Sequence, residues 1–127
     1  MKAVTVTTDN EINIIDVKEN GSPLYKQMNE AVGGFYENVY PRRFSGEFQD
    51  FVMVVNEEGL ILDLPINEVG CFLYETDRHG HPIVGNAIIL KQGYFEGEPD
   101  VVALTEDEAE KVKNYLESIL VALKGAK

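Results

Sequence analysis

The fold class follows first from residues 105–125, TEDEAEKVKNYLESILVALKG. Thr105 is a favourable N-cap residue, and Glu108 stands at the spacing of a capping box. Lys124 and Gly125 are typical of a helix end. The apolar residues recur at helical spacing and form one face: Ala109, Val112, Leu116, Ile119, Leu120 and Leu123. This pattern predicts an amphipathic C-terminal helix. We expect its apolar face to pack on a sheet.

The middle of the chain predicts part of that sheet. Phe51–Val55 is a continuous apolar run bounded by polar residues, which is typical of a central strand. Asn56-Glu57-Glu58-Gly59 has turn composition, and the apolar run resumes at Leu60–Leu62. We therefore predict a β-hairpin over Phe51–Leu62.

The N-terminal half adds a second hairpin and a helix. Lys2–Thr7 alternates apolar and polar residues, and Ile12–Ile15 resumes a strand after turn residues. Ser22, followed by Pro23, predicts the start of a helix, and Gly33 predicts its end. Phe35–Tyr40 then reads as an aromatic-rich strand.

The second half is less regular. Residues 66–75 have partly helical spacing that Gly70 weakens, so their secondary structure stays open. Ile83–Leu90 predicts a strand, Gln92–Pro99 a long acidic loop, and Val101–Leu104 an edge strand. We predict a single domain, 1–127, with an α+β fold. In this fold a mostly antiparallel sheet has the C-terminal helix and the shorter N-terminal-half helix packed on one face.

The charge of the chain narrows the possible partners. It has 22 acidic and 11 Lys or Arg residues, for a net charge of −11. The stretches 44–77 and 92–110 contain no Lys, Arg or His at all. Phosphate backbones and anionic lipids repel such a chain, so we expect neither direct nucleic-acid binding nor membrane-surface binding. No run of about 18 apolar residues is present to span a membrane.

The location and redox setting follow from the N-terminus and the cysteine count. The first residues lack the apolar region of a signal peptide, so we expect a cytoplasmic protein. Cys71 is the only cysteine, which excludes an internal disulfide, and its apolar neighbours predict a buried, inert thiol.

An ordered series of short motifs identifies a relative. The series is Val32-Gly33-Gly34-Phe35, Val39-Tyr40-Pro41, Val54–Gly59, Leu64–Asn67 and Ile83–Ala87. It resembles DUF3846, a family of unknown function common in phages, plasmids and conjugative elements. The resemblance implies a mobile-element origin and an accessory role, and it assigns no activity. The chain departs from the family pattern at Asp63 and Glu68, which make it more acidic, and in the longer stretch Arg42–Gln49.

One segment has the composition of a metal site. Glu75, Asp77, His79 and His81 alternate, and in an extended segment four such ligands would share one side. Gly80 and Pro82 favour a solvated turn instead, so we predict no metal and no cofactor. Two histidines and one cysteine also make a nucleophile and its base hard to assemble, so we predict no enzyme.

These observations predict a non-catalytic accessory protein that binds an unidentified protein partner, as a monomer or homodimer. The expected interaction surface is acidic and comprises Glu57, Glu58, Asp63, Asn67 and Glu68. For Asn67, a structural role in fixing the turn is preferred to recognition. Two alternatives stay open. One is a DNA-mimic inhibitor whose carboxylates are spaced like phosphates, and the other is a metal-dependent enzyme built on the segment Glu75–His81.

Overall fold

The computed structural model describes residues 1–18, 24–95 and 97–125. Within these ranges, six strands form one sheet, accompanied by four α-helices. The strands are β1 (Lys2–Val6), β2 (Ile12–Asp16), β3 (Tyr36–Val39), β4 (Phe51–Asn56), β5 (Ala87–Phe95) and β6 (Glu98–Val102). The helices are α1 (Leu24–Val32), α2 (Glu68–Tyr74), α3 (Thr76–His79) and α4 (Glu106–Gly125).

The sheet has the order β2-β1-β5-β4-β3, and β6 pairs with the second half of β5. Every pairing between these strands is antiparallel. The predicted α+β fold with a mostly antiparallel sheet is therefore confirmed.

The N-terminal hairpin is confirmed as β1 and β2. Val6 lies opposite Ile12, and Asn10 takes the left-handed conformation, with φ 64°, in the turn. At the far end the Lys2 ammonium forms an ion pair with the Asp16 carboxylate.

Both helix predictions are confirmed as helices. Gly33 ends α1 with φ +80°, as predicted, whereas Ser22 and Pro23 lie outside the described residues. At α4 the Thr105 N–H donates to Glu108 Oε1 at 2.8 Å, and the Glu108 N–H donates to Thr105 Oγ1 at 3.2 Å. The predicted capping box is therefore present.

The two helices cover opposite faces of the sheet, so the prediction that both pack on one face is wrong. Met53 of β4 belongs to the apolar cluster that includes Leu116 of α4. The neighbouring residue Val52 belongs to the other cluster, which includes Met28 and Val32 of α1. Successive residues of a strand point to opposite faces, and every residue of β4 is buried. A strand that is apolar on both sides needs cover on both sides, as its unbroken apolar run already implies.

The predicted hairpin over Phe51–Leu62 is wrong in its second half. β4 is confirmed, but it pairs with β3 and β5, and Leu60–Leu62 lies in a turn. The two sides of β4 are occupied by β3 and β5, so no place is left in the sheet beside β4 for the residues that follow it.

The predicted acidic loop at Gln92–Pro99 is also wrong. β5 runs on to Phe95 and pairs with β6, which starts at Glu98. Gly93 makes this pairing possible at close range, because a Cβ there would lie 2.6 Å from Val102 Cγ1. The acidic composition of this stretch favoured a loop, but the stretch contains the end of β5 and the start of β6, which pair with each other.

Candidate functional site

Asn67 joins three elements beneath the acidic region predicted to bind a partner. Its side chain is fully buried, and its Nδ2 donates to the carbonyls of Val6 and Gly85 at 2.9 and 3.0 Å. Its Oδ1 accepts from the Gly70 N–H at 2.9 Å, which caps the start of α2. Asn67 therefore has the structural role that the sequence favours. It cannot contact a partner from this position and is removed from the predicted interaction surface.

Residues 57–66, which we call the aliphatic loop, form a defined structure between β4 and α2. The Leu62 N–H donates to the Glu58 carbonyl at 2.9 Å, and the Leu64 N–H donates to the Gly59 carbonyl at 3.0 Å. Asn56 Oδ1 accepts from the Glu58 N–H at 2.8 Å. These bonds hold the loop in one conformation without a place in the sheet.

Two contacts fix the aliphatic loop to the rest of the molecule. The Gly85 N–H donates to the Pro65 carbonyl at 2.7 Å, and Ile66 forms an isolated bridge with Val84. Gly85 has φ +79°, and a Cβ there would lie 2.8 Å from Leu64 Cδ1, so Leu64 packs directly on the glycine. Leu64 thus points inward and anchors the loop.

The other aliphatic residues of the loop point outward. Leu60, Ile61 and Leu62 are 62%, 82% and 52% exposed, and Ile66 is exposed as well. Isolated exposed apolar residues are common, but three consecutive ones on a fixed loop are typical of a binding surface. Of the predicted interaction residues, Glu57, Glu58 and Asp63 are exposed in the same loop, and Glu68 is half-buried at the start of α2.

Two grooves border β3, and one of them also borders the aliphatic loop. The apolar groove, of about 460 Å³, is named for its aliphatic and aromatic lining residues, Val39, Tyr40, Leu60, Tyr74, Pro82 and Ile83, and is also lined by Glu37, Asn38 and His81. The acidic groove, of about 310 Å³, is lined by Asn38, Tyr40, Asp50, Gln92, Gly93, Tyr94 and Asp100. Leu60 connects the loop to the apolar groove, and Tyr40 borders both grooves. The exposed apolar surface is therefore continuous from the loop to the strand.

The predicted metal ligands are engaged differently. The Glu75 carboxylate lies 3.9 Å from Arg43 Nε and 3.7 Å from Arg78 Nε, so it already has two cationic neighbours. Among the described side chains, which do not include His79, no group of three or more His, Cys, Asp or Glu residues is placed to hold a metal. Asp77 and His81 are exposed.

Cys71 is half-buried, and its Sγ accepts from the Ile83 N–H at 3.2 Å. This hydrogen bond links α2 to the segment before β5, so the thiol has a structural role.

The fold and these surfaces define an α+β protein with exposed aliphatic residues on a hydrogen-bonded loop. The model of the family described as a domain of unknown function, DUF3846, matches residues 1–117, so the chain belongs to this family. No curated protein and no solved structure matches the chain. Within the described ranges, no helix has the length and apolar character needed to cross a bilayer.

Sequence reasoning missed the exposed residues Leu60, Ile61, Leu62 and Ile66. Their apolar character favoured a buried strand, although the run is only three residues long and lies between Gly59 and Asp63. The shortness of the run and the nearby Pro65 are the signals that distinguish it from Phe51–Val55.

Proposed function

We propose that this protein is a non-catalytic, cytoplasmic accessory protein of phage or mobile-element type that acts by binding another protein. The contact surface is the aliphatic loop together with the apolar groove beside it. The observation that carries the proposal is the exposure of Leu60, Ile61 and Leu62 on a loop held by its own hydrogen bonds.

Two physical effects support binding at this surface. Burying apolar area against a partner contributes about 25 cal/mol per Å². The loop is already ordered, so association loses little conformational entropy there. Both effects favour a protein partner with a complementary apolar patch.

The acidic residues around the loop select among such partners. Glu57, Glu58 and Asp63 are exposed beside the aliphatic side chains and give the rim a negative charge. A rim of one sign steers oppositely charged partners and repels like-charged ones. We therefore expect the partner to carry a basic surface around its apolar patch.

The two alternatives have less support. A DNA mimic needs its carboxylates on one surface, but exposed carboxylates occur on α1 at Glu30, on α4 at Glu110 and in the N-terminal hairpin at Glu11. α1 and α4 lie on opposite faces of the sheet. For the metal-dependent enzyme, Glu75 is already engaged by two arginines.

The test is a capture experiment from host-cell lysate with the tagged protein. The double variant Ile61→Ser/Leu62→Ser removes the two central aliphatic side chains of the loop. Val121→Ser is the matched control, because Val121 is a similarly exposed aliphatic residue on α4. We expect a protein that is recovered by the native chain and by the control and lost with the double variant. Equal recovery with all three chains would contradict the proposal.

A further inference from the structure

The strands β2 and β3 stand at the two ends of the strand order. Among the described strands, β2 pairs only with β1, and β3 pairs only with β4. The Tyr36 N–H of β3 donates to Asn29 Oδ1 on α1, which occupies part of an edge that is only four residues long. The outer edge of β2 is therefore the longer one for pairing with another molecule.

The hydrogen bonds at the two ends of β2 show which of its backbone groups face outward. The Thr7 N–H donates to the Glu11 carbonyl at 2.9 Å. The Val17 N–H donates to the Met1 carbonyl at 2.8 Å. Odd-numbered positions of this segment thus bond to the β1 side, and backbone groups alternate in direction along a strand. The outward N–H and carbonyl groups of β2 belong to its even-numbered residues: Ile12, Ile14 and Asp16.

Gln27 of α1 limits the open part of this edge. Lys18, the next even-numbered residue, also directs its backbone groups outward. Its N–H donates to Gln27 Oε1 at 3.0 Å, and its carbonyl accepts from Gln27 Nε2 at 2.8 Å. The side-chain amide of Gln27 thus takes the place of a neighbouring strand at Lys18. The open stretch is Ile12–Asp16, and Ile14 is its centre.

We propose that two copies of the chain pair through β2 in an antiparallel arrangement with two-fold symmetry. Ile14 lies opposite Ile14 of the second copy, and Ile12 lies opposite Asp16 on both sides of the axis. Because the three outward residues are evenly spaced about Ile14, this register pairs all of their N–H and carbonyl groups. Shifting the register by two residues in either direction leaves some of these groups unpaired or brings them against Gln27.

The side chains of β2 agree with this register. No two charges of the same sign lie directly opposite each other, since Asp16 faces Ile12 and Glu11 faces Val17 of the second copy. Asp16 also forms an ion pair with Lys2 of its own chain. Like charges placed opposite each other destabilise a strand pair, and this arrangement avoids them.

The helix α4 adds apolar contact beside the paired strands, because it packs on both β1 and β2. Tyr115 stacks on Phe48, whose ring contacts Phe51 of β4, so this side of α4 faces β4. Leu120 lies about 140° further around the helix axis, which directs it towards the β2 side. Leu120 and Ile14 are both half-buried. A second copy at this edge therefore covers apolar surface of both residues, in addition to pairing the backbone.

This surface is separate from the one in the proposed function. The apolar groove beside the aliphatic loop is lined by residues of β3, at the other end of the strand order from β2. A dimer formed through β2 thus leaves both aliphatic loops accessible. Two loops on one assembly bind a partner with repeated sites more tightly than one loop does.

The net charge gives this dimer a characteristic salt dependence. Each copy has a net charge of −11, so the two copies repel each other at low ionic strength. Added salt screens this repulsion and strengthens dimerisation. The basic partner expected at the aliphatic loop shows the opposite behaviour, because salt weakens attraction between unlike charges. Salt dependence therefore distinguishes the two associations.

Sedimentation velocity of the full-length chain, over a range of concentrations and at low and high salt, tests the proposal. We expect a monomer–dimer equilibrium in which the dimer fraction rises with salt. Ile14→Pro should raise the dissociation constant about thirtyfold, because the symmetric substitution removes the two central backbone hydrogen bonds. The Ile14 N–H points away from β1, so proline costs no hydrogen bond within the sheet.

The matched control is Asn38→Pro on the other edge strand. The Glu57 N–H donates to the Phe35 carbonyl on the β4 side, so the N–H of Asn38 points outward like that of Ile14. Asn38→Pro should leave the dissociation constant unchanged. Hydrogen exchange of the native chain decides the question if Ile14→Pro does not fold. The Ile14 amide should exchange slowly at concentrations that favour the dimer and faster on dilution, while the Asn38 amide exchanges equally in both.

A chain that stays monomeric under all these conditions would overturn the proposal, as would a dimer that Ile14→Pro leaves intact. So would a dimer that Asn38→Pro or Ile61→Ser/Leu62→Ser disrupts, because the copies would then meet at another surface. A monomeric chain that loses its captured protein with Ile61→Ser/Leu62→Ser would leave the proposed function standing and this inference wrong. A dimer lost only with Ile14→Pro, in a chain that captures no protein, would have the opposite meaning.

Discussion

Phe51–Val55 and Leu60–Leu62 are two apolar runs only a few residues apart, but they differ in their exposure to solvent. Every residue of the first is buried, while the second is 62%, 82% and 52% exposed. β4 has a strand on each side and a helix on each face, whereas the aliphatic loop has neither. Apolar composition alone therefore does not determine burial. The partners that the rest of the chain supplies determine it, and an apolar run without them is available to another molecule.

The largest effect on the free energy of unfolding is expected in the buried run, at Met53. This side chain is fully buried between β4 and the α4 face, so Met53→Ala leaves a cavity and should lower the free energy of unfolding by about 3 kcal/mol. Urea denaturation of the native and variant chains measures the difference. A loss below about 1 kcal/mol would mean that this part of the core collapses around the smaller residue.

The next effect concerns the contact that anchors the aliphatic loop. Gly85→Ala and Gly33→Ala both place a side chain at φ near +80°, which costs about 1 kcal/mol in each case. Only Gly85→Ala also displaces Leu64, because nothing lies within 4 Å of a Cβ at Gly33. We expect faster hydrogen exchange at the Leu64 amide in Gly85→Ala alone. Equal exchange in both variants would show that Leu64 does not fix the loop.

The same contrast explains how far the sequence predicts this structure. Elements whose signals are local were predicted correctly: the capping box at Thr105 and Glu108, and the turn glycine at Gly33. Phe51–Val55 was recognised as a strand because its apolar run is long enough to exclude most alternatives. That unbroken run also implies a helix on each face of the sheet, whereas the sequence-based prediction placed both helices on one face.

The candidate site was predicted only in part because it depends on distant pairings. Glu57, Glu58 and Asp63 were identified from charge, and they are exposed in the aliphatic loop. Leu60–Leu62 is excluded from the sheet because β3 and β5 occupy both sides of β4. The shortness of the run distinguishes it from Phe51–Val55 but does not identify these pairings. The burial of Asn67 likewise depends on the carbonyls of Val6 and Gly85.

A smaller, pH-dependent effect on stability is expected at Glu108, which joins the start of α4 to β5 through its ion pair with Lys91. Partial burial raises the pKa of Glu108, but hydrogen bonds from the Thr105 backbone and the Lys91 ammonium lower the pKa by more, so the net shift is downward from 4.5. The stabilisation from this carboxylate is therefore fully present above pH 4.5 and is lost as the pH falls through the lowered value. Glu108→Gln should cost about 1 kcal/mol at neutral pH.

Denaturation at neutral pH and again well below pH 4.5 checks this expectation. The gap between the native chain and Glu108→Gln should close in acid, because the protonated carboxyl no longer attracts Lys91. Lys113 and Glu117 form an exposed pair on the same helix, and Glu117→Gln serves as the control with little effect at either pH. A gap that stays constant with pH would assign the effect of Glu108 to packing instead of charge.

The smallest effect on stability is expected at Ile61, and its smallness is the informative result. Ile61 is 82% exposed, so Ile61→Ser removes almost no buried area and should change the free energy of unfolding by less than about 0.5 kcal/mol. Val121→Ser on α4, at 71% exposure, should behave in the same way. A loss of about 2 kcal/mol at Ile61 alone would show that the loop packs on the fold in solution. With stability unchanged in both variants, a difference between them in partner capture can only reflect the contact that the loop makes with another protein.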